Sequence, residues 1–284
     1  MRGNQGPSHP PFPRIGLDIM SQRDHKLADF AFLWANAQVV KKIGLQAGIH
    51  IDQPIGIWNY IRIADDIVGQ MPAGRILDWG CGYGQMTYLL RQRGLNVTPF
   101  DLGDPRHKQL PAIPICRDLA AINTTHPTNL PFRTGVFDAV LSCGVLEHVD
   151  EYSQPGNELR SLHEIARVLR PGGLFLIYQL PQQYAWQEAL IRRLRLGYAH
   201  PRRYTEAEIV AMLLEHGYTI QRIRRANLIP KNLTGMPAYI RSAYSRLSKP
   251  LITLDGWVSN MPGMKHVAGV LEIAARREGL LGVE

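Results

Sequence analysis

Residues 75–85 read Arg75-Ile76-Leu77-Asp78-Trp79-Gly80-Cys81-Gly82-Tyr83-Gly84-Gln85, and this stretch decides the fold. Ile76 and Leu77 are strand formers, and three glycines at alternate positions follow at once. From Met86 to Arg93, apolar Met86, Leu89 and Leu90 recur at helical spacing, and Gly94 stands where a helix C-terminal cap is expected. Strand, glycine turn and helix in that order make a nucleotide-type loop. Glycines there let the backbone take positive φ and approach a ligand that a Cβ would repel.

The glycine spacing selects the ligand. A dinucleotide loop, G-x-G-x-x-G, needs its third glycine at 85, where this chain has Gln85. Here Asp78 precedes Gly80, Gly82 and Gly84 as acidic-x-G-x-G-x-G, which resembles motif I of the class I S-adenosylmethionine-dependent methyltransferases. An aspartate at that point suits a ligand with a free ammonium and no pyrophosphate. Taken alone, the loop fits a plain strand–helix junction equally well, so the rest of the chain has to decide.

Downstream, Asn96 to Asp101 reads as a second strand ending in a carboxylate 21 residues past Gly80. An acid there is placed to accept both ribose hydroxyls of an adenosine. Pro99 within the strand predicts an imperfect or edge-like ladder. Ala112 to Arg117 is expected as a third strand, followed by Asp118 and Leu119. Leu130-Pro131-Phe132 and Phe137-Asp138-Ala139-Val140 resemble the family's approach to strand four, which ends at Ser142-Cys143-Gly144. Val145-Leu146-Glu147-His148-Val149 follows. Asn157 is placed to cap a helix with Leu159, Leu162, Ile165, Ala166 and Leu169 inward. Arg170-Pro171-Gly172-Gly173 stops it, and Leu174 to Leu180 is strand five.

The run from Leu146 to Ile177 is similar to the type 11 methyltransferase domain, and the landmarks fall in the family's order across residues 75–180. The resemblance implies an α/β fold: a seven-stranded, mostly parallel, doubly wound sheet with S-adenosyl-L-methionine as cofactor. It places that cofactor against Asp78, Gly80, Cys81, Gly82, Gly84, Asp101, Leu102, Asp118, Leu119 and Cys143. The adenine would lie on Asp118 and Leu119.

Around this core, residues 73–181, three further regions are expected. Residues 1–21 are a flexible tail, rich in Pro, Gly and polar residues and without an apolar signal core. Residues 22–72 hold two helices that cover the site. The first, Gln22 to Gly48, carries Leu27, Phe30, Ala31, Trp34 and Ala35 on one stripe. The second, opened by Pro54, turns Ile57, Ile61, Ala64 and Ile67 inward. Residues 182–284 form the acceptor side. They comprise a helix from Gln182 to Leu196, a capping box at Thr205 and Glu208, and strand six at Tyr218–Ala226. A helical insert at 227–265 and an antiparallel strand seven at His266–Ala275 complete them.

Composition excludes little. The 284 residues are 45% hydrophobic and 20% charged, ordinary for a globular chain with a sizeable core. No run of about 18 apolar residues occurs. Cys81, Cys116 and Cys143 lie far apart without a C-x-x-C pair, as expected for reduced thiols in a cytoplasmic protein. The net charge of +8 is lopsided: residues 1–159 hold 14 Lys/Arg against 15 Asp/Glu, and residues 160–284 hold 18 against 9. Such a surplus suggests an anionic partner on the C-terminal side, with peripheral membrane contact through 227–265 as one form of it. Solvated arginines would explain it equally.

Methyl transfer from a sulfonium is an in-line displacement, so positioning carries most of the catalysis. No metal is required, and the sequence has no H-E-x-x-H or comparable pattern. Catechol-type enzymes place carboxylates after strand four, where this chain has Ser142 and Cys143. The (Asp/Asn)-Pro-Pro-aromatic and Pro-Cys signatures of nucleobase methylation are missing from that position as well. These departures lead to the expectation of no nucleic-acid partner, and of a small-molecule or lipid-linked acceptor methylated at oxygen. His148 is the candidate general base, with a structural role as its alternative. His200, Arg203 and Tyr204 are secondary acceptor-side candidates. Two rival functions are a non-catalytic, methyltransferase-like binding subunit and a nicotinamide-dependent oxidoreductase. The retained Asp78, glycines and Asp101 speak against the first and Gln85 against the second.

Overall fold

The computed structural model describes residues 22–44, 51–102, 112–124, 126, 128–150, 155–195, 198–231, 233 and 237–279. The expected tail at 1–21 lies outside them. Seven strands form one sheet in the order β3-β2-β1-β4-β5-β7-β6. The strands are β1 Arg75–Trp79, β2 Asn96–Leu102, β3 Ile122–Thr124, β4 Phe137–Cys143, β5 Leu169–Pro181, β6 Tyr218–Ala226 and β7 Val270–Arg277. β1 to β5 run parallel, and β7 is antiparallel to both of its neighbours. The expected fold class is the observed one.

Alternation along each strand splits the core into two layers. Ile76, Ala139, Leu141, Leu176 and Ala274 pack on one side with helices α1 Gln22–Lys42, α2 Pro54–Gln70 and α3 Gln85–Gln92. Leu77, Val140, Phe175, Ile177 and Ile273 pack on the other with α5 Asn157–Val168 and α7 Glu206–Glu215. The remaining helices are α4 Pro114–Arg117, α6 Trp186–Leu194, α8 Ala238–Arg246 and α9 Ser248–Val258.

Several expected boundaries shift, each for a local reason. Ala112–Arg117 is not a strand: Pro114 opens α4, and the third strand is β3. Proline's fixed φ suits a helix start, and its missing N–H suits no inner strand. β2 is paired on both sides, but β3 covers only Phe100 to Leu102, so Pro99 sits where β2 is locally an edge. α1 ends at Lys42, and its buried face is Asp29, Leu33, Asn36, Ala37 and Val40; Leu27, Ala31 and Ala35 face solvent. Buried polar groups shift the stripe. Asp29 takes an ion pair from Arg93 at 3.0 Å, and the Asn36 side-chain oxygen accepts from Ile115 N at 2.8 Å.

Asn157 does not cap α5. It is the first helical residue after Gly156, and its Nδ2 donates to Val149 O at 3.3 Å. Asp150 takes the capping role, its carboxylate accepting from Glu158 N at 3.2 Å. Leu159 is exposed, and Leu169 already belongs to β5. The Pro-Gly-Gly segment therefore ends the helix from inside the strand. A Cβ at Gly173 would come 2.9 Å from Arg170 O and 3.1 Å from Asp138 O, a close approach only glycine allows. α6 begins at Trp186 rather than at 182, and β7 begins at Val270 after a 3₁₀ turn at Met264–His266.

Candidate cofactor and acceptor site

In a sheet of this order the chain turns outward in opposite directions from β1 and β4, which opens a crevice at the carboxyl ends of those strands. The glycine loop lies there, and its three glycines serve two different ends. A Cβ on Gly80 would strike Val145 at 2.5 Å, and one on Gly84 would strike Leu119 at 2.5 Å. Those two make room for protein. Gly82, at φ +52°, has no described atom within 4 Å of its Cβ direction and leaves its space open for a ligand. Gly80 N and Cys81 N both donate to Phe100 O, at 2.8 and 3.0 Å, which ties the loop to the end of β2.

Asp101 stands at that end. Its Oδ2 accepts from Gly82 N at 2.6 Å and its Oδ1 from Leu102 N at 2.7 Å. Two backbone amides thus fix the carboxylate at the end of β2, and a carboxylate is the kind of acceptor that ribose hydroxyls bond to. An apolar groove lined by Trp79, Phe100, Leu102, Val145 and Val149 runs beside it. Leu119 packs on Gly84, while Asp118 is exposed at the end of α4, its carbonyl accepting from Arg91 at 3.3 Å.

Asp78 is almost fully buried, and Thr87 Oγ1 donates to it at 2.5 Å. Burial raises its carboxyl to about 6, with the Thr87 bond opposing and Asp101 adding to the rise. Burial likewise pushes the Cys81 and Cys143 thiols well up. Both stay protonated at neutral pH, which removes them as nucleophiles. Sequence reasoning missed one partner of the loop. Gln85 Nε2 donates to the Tyr60 hydroxyl at 3.3 Å, so α2 does close over the glycine loop. Gln85 Oε1 and Ser142 Oγ are buried without a hydrogen-bond partner, and buried polar atoms of this kind call for a polar ligand. Open space at Gly82, an anchored carboxylate and unsatisfied polar atoms fit a nucleoside with an amino-acid tail.

On the acceptor side, β4 runs into a 3₁₀ turn at Leu146–His148. His148 is a third exposed and lies 5.6 Å from the His200 ring, centroid to centroid. Glu188 Oε1 is 2.8 Å from His200 Nδ1. Burial pushes the Glu188 carboxyl up, but the contacts with His200 outweigh it and the net shift is downward. Tyr204 is buried with Arg202 stacked 4.3 Å over its ring, and Arg203 donates to Gln183 O at 3.2 Å; both serve packing. Much of the basic surplus is likewise spoken for. Arg222 and Arg224 hold Asp66, Arg225 pairs with Glu206, and Arg202 with Glu158 and Glu208.

Residues 77–177 match the sequence model of a family described as a methyltransferase domain. This stretch is a class I S-adenosylmethionine-dependent methyltransferase domain. Its cofactor is S-adenosylmethionine. A mouse protein named "Probable tRNA methyltransferase 9B" is 32% identical over 118 residues, 41% of this chain and 24% of its own. An Arabidopsis thaliana tRNA (carboxymethyluridine(34)-5-O)-methyltransferase is 38% identical over 110 residues, 38% of this chain and 24% of its own. The match thus spans about a quarter of those relatives. A methyltransferase structure from Thermotoga maritima superposes with a TM-score of 0.52 over 87% of this chain and all of its own; at 14% identity it shows the fold alone.

These relatives overturn one expectation, that nucleic acid is not a partner and the acceptor is a small molecule or lipid-linked. The missing signatures belong to the methylation of exocyclic base amines and of cytosine C5, and speak against those two chemistries alone. They say nothing about a modified base that brings its own oxygen nucleophile.

Proposed function

We propose that this methyltransferase moves the S-adenosylmethionine methyl group to an oxygen of an RNA acceptor, the carboxylate of a carboxymethylated base being the best candidate. The observation that carries the reading is the 38% identity over 110 residues to a carboxymethyluridine O-methyltransferase. The cofactor would lie with its ribose hydroxyls on Asp101 and its methionine end over Gly82, close to Gln85 and Asp78. A carboxylate is ionised at neutral pH, so attack needs no general base. Its oxygen lone pair forms the new O–CH₃ bond while the C–S bond breaks and its electron pair goes to sulfur. The products are a methyl ester and S-adenosylhomocysteine, and no proton moves.

That chemistry relieves His148 of a base's role and makes it a group that positions the acceptor. Exposed Arg192, Arg193 and Arg195 support an anionic acceptor, because Arg192 donates to the His200 carbonyl beside His148. The test is incubation with methyl-labelled S-adenosylmethionine and tRNA carrying carboxymethylated uridine. Alkali-labile label in the RNA is expected. Cofactor binding with no label entering RNA would overturn the acceptor assignment.

A further inference from the structure

Beyond the methyl donor site, the fold brings His200 to the adjacent pair Glu147 and His148, from which the sequence keeps it more than 50 residues away. One carboxylate oxygen of Glu147 and one ring nitrogen each of His148 and His200 lie within 4.8 Å of one another. We propose that these three bind a divalent transition cation of the zinc type.

The donor set is two imidazoles and a carboxylate, the ligands such ions prefer over magnesium or calcium. Bonds of about 2.1 Å in a tetrahedral shell separate neighbouring ligand atoms by roughly 3.4 Å. Glu147 Oε1 and His148 Nε2 are already 3.8 Å apart, too far for a direct hydrogen bond and close to that spacing. His200 lies outside any helix or strand, and its ligand nitrogen is within 4.8 Å of the other two ligand atoms. Its orientation is set from outside the triad: Glu188 Oε1 holds Nδ1 at 2.8 Å and Glu188 Oε2 accepts from the His200 backbone N at 3.2 Å. A carboxylate on one ring nitrogen presents the other, Nε2, to a metal, and it raises that nitrogen's basicity.

Charge and access agree with a cation. Glu147 is buried and Glu188 nearly so, and against them stands Arg192, whose guanidinium is engaged with the His200 carbonyl. His148 and His200 are partly exposed, so an ion reaches the site from solvent and three protein ligands leave a position open. The site lies just past the end of β4, on the acceptor side. An ion there would take an oxygen of the acceptor as its fourth ligand and hold it in place. The cation site itself does not depend on the acceptor being RNA.

Titration of the full, metal-stripped chain tests it, with zinc followed by calorimetry and cobalt followed by its visible absorption. One equivalent of each is expected, with cobalt bands of a four- or five-coordinate ion. His148→Ala and His200→Ala should each weaken zinc binding at least tenfold, and Glu188→Gln by roughly 10–100-fold. Circular dichroism checks that the variants fold. In the unaltered protein, zinc should also shift the ring proton resonances of His148 and His200, a readout that needs no variant. Absence of stoichiometric binding, zinc affinity in the histidine variants as high as in the unaltered protein, or unmoved histidine resonances would each overturn the proposal.

Discussion

Gly82 donates its backbone N–H to the Asp101 carboxylate at 2.6 Å, so the open apex of the glycine loop and the end of β2 are one unit. Gly82 lies in the loop after β1 and Asp101 in β2, 19 residues on, and the bond sets the distance between the expected methionine and ribose ends of the cofactor. An ionised acceptor makes this a strong, short hydrogen bond. The loop and the ribose acid should therefore respond to mutation together, but not in the same way.

The three glycines should separate stability from binding. Gly80→Ala drives a methyl into Val145, so the protein should lose stability, by about 1–3 kcal/mol, in urea unfolding without ligand. Gly82→Ala meets no protein atom and costs about 1–2 kcal/mol from its φ of +52° alone. Its additional loss should appear in S-adenosylmethionine affinity, measured by calorimetry on the folded variant. Full affinity in Gly82→Ala would mean that the cofactor does not pass over this residue.

Asp101→Ala removes the acceptor proposed for the ribose and also frees two backbone N–H groups. Lost charge-assisted bonds of this kind cost roughly 1.5–3 kcal/mol each, so affinity should fall by at least tenfold. Asp101→Asn keeps one amide anchored and should fall between. Calorimetry with adenosine as the titrant isolates the ribose end. An adenosine affinity indifferent to both substitutions would remove Asp101 from the site.

Asp78 makes stability depend on pH. Its folded-state carboxyl is raised to about 6 by burial, above the ordinary value near 4. A raised acid favours the fold while protonated, so its contribution is complete below about pH 4 and lost as pH climbs through 6. Asp78→Asn keeps the shape without the charge. Without cofactor, the variant should match the wild type near pH 3.5 and exceed it by up to about 3 kcal/mol near pH 7. Denaturation at several pH values gives the difference curve. A flat curve would mean the carboxylate ionises as freely in the fold as in the open chain.

What the sequence reveals is what is local. Ile76–Leu77, Ala139–Leu141 and Phe175–Ile177 read as strands because both faces of a parallel sheet are covered, which leaves unbroken apolar runs. The Thr205–Glu208 box is read from two residues three apart and is present with both of its bonds. β3 escaped because Ile122–Thr124 is short and mostly exposed, while the apolar Ile113 and Ile115 nearby are buried for α4. The α1 stripe was misplaced because Asp29 and Asn36 point inward toward partners far along the chain. The Glu147–His148–His200 cluster and the Gln85–Tyr60 pair are long-range contacts, and no spacing rule encodes them.

The same long-range logic yields the last expectation, at a residue no motif singled out. Asp255 on α9 is buried, and its Oδ1 accepts from Ile229 N at 2.8 Å and Ser259 Oγ at 3.1 Å. Its Oδ2 accepts from Asn227 N at 2.8 Å and Lys231 Nζ at 3.4 Å, and Lys231 also reaches Asn59 Oδ1 on α2 at 3.2 Å. One carboxylate thus ties the segment after β6 to α9 and, through Lys231, to the helix over the site. Burial pulls the Lys231 ammonium down to about 8, with Asp255 opposing that fall. Asp255→Ala strands two backbone N–H groups and a buried cation, and should cost about 3–5 kcal/mol. Ser259→Ala removes one donor of four and should cost about 1 kcal/mol. Urea unfolding of both variants gives the comparison. If Asp255→Ala costs no more than Ser259→Ala, the carboxylate does not organise this corner, and the docking of α9 must rest on apolar contacts such as Ile252 alone.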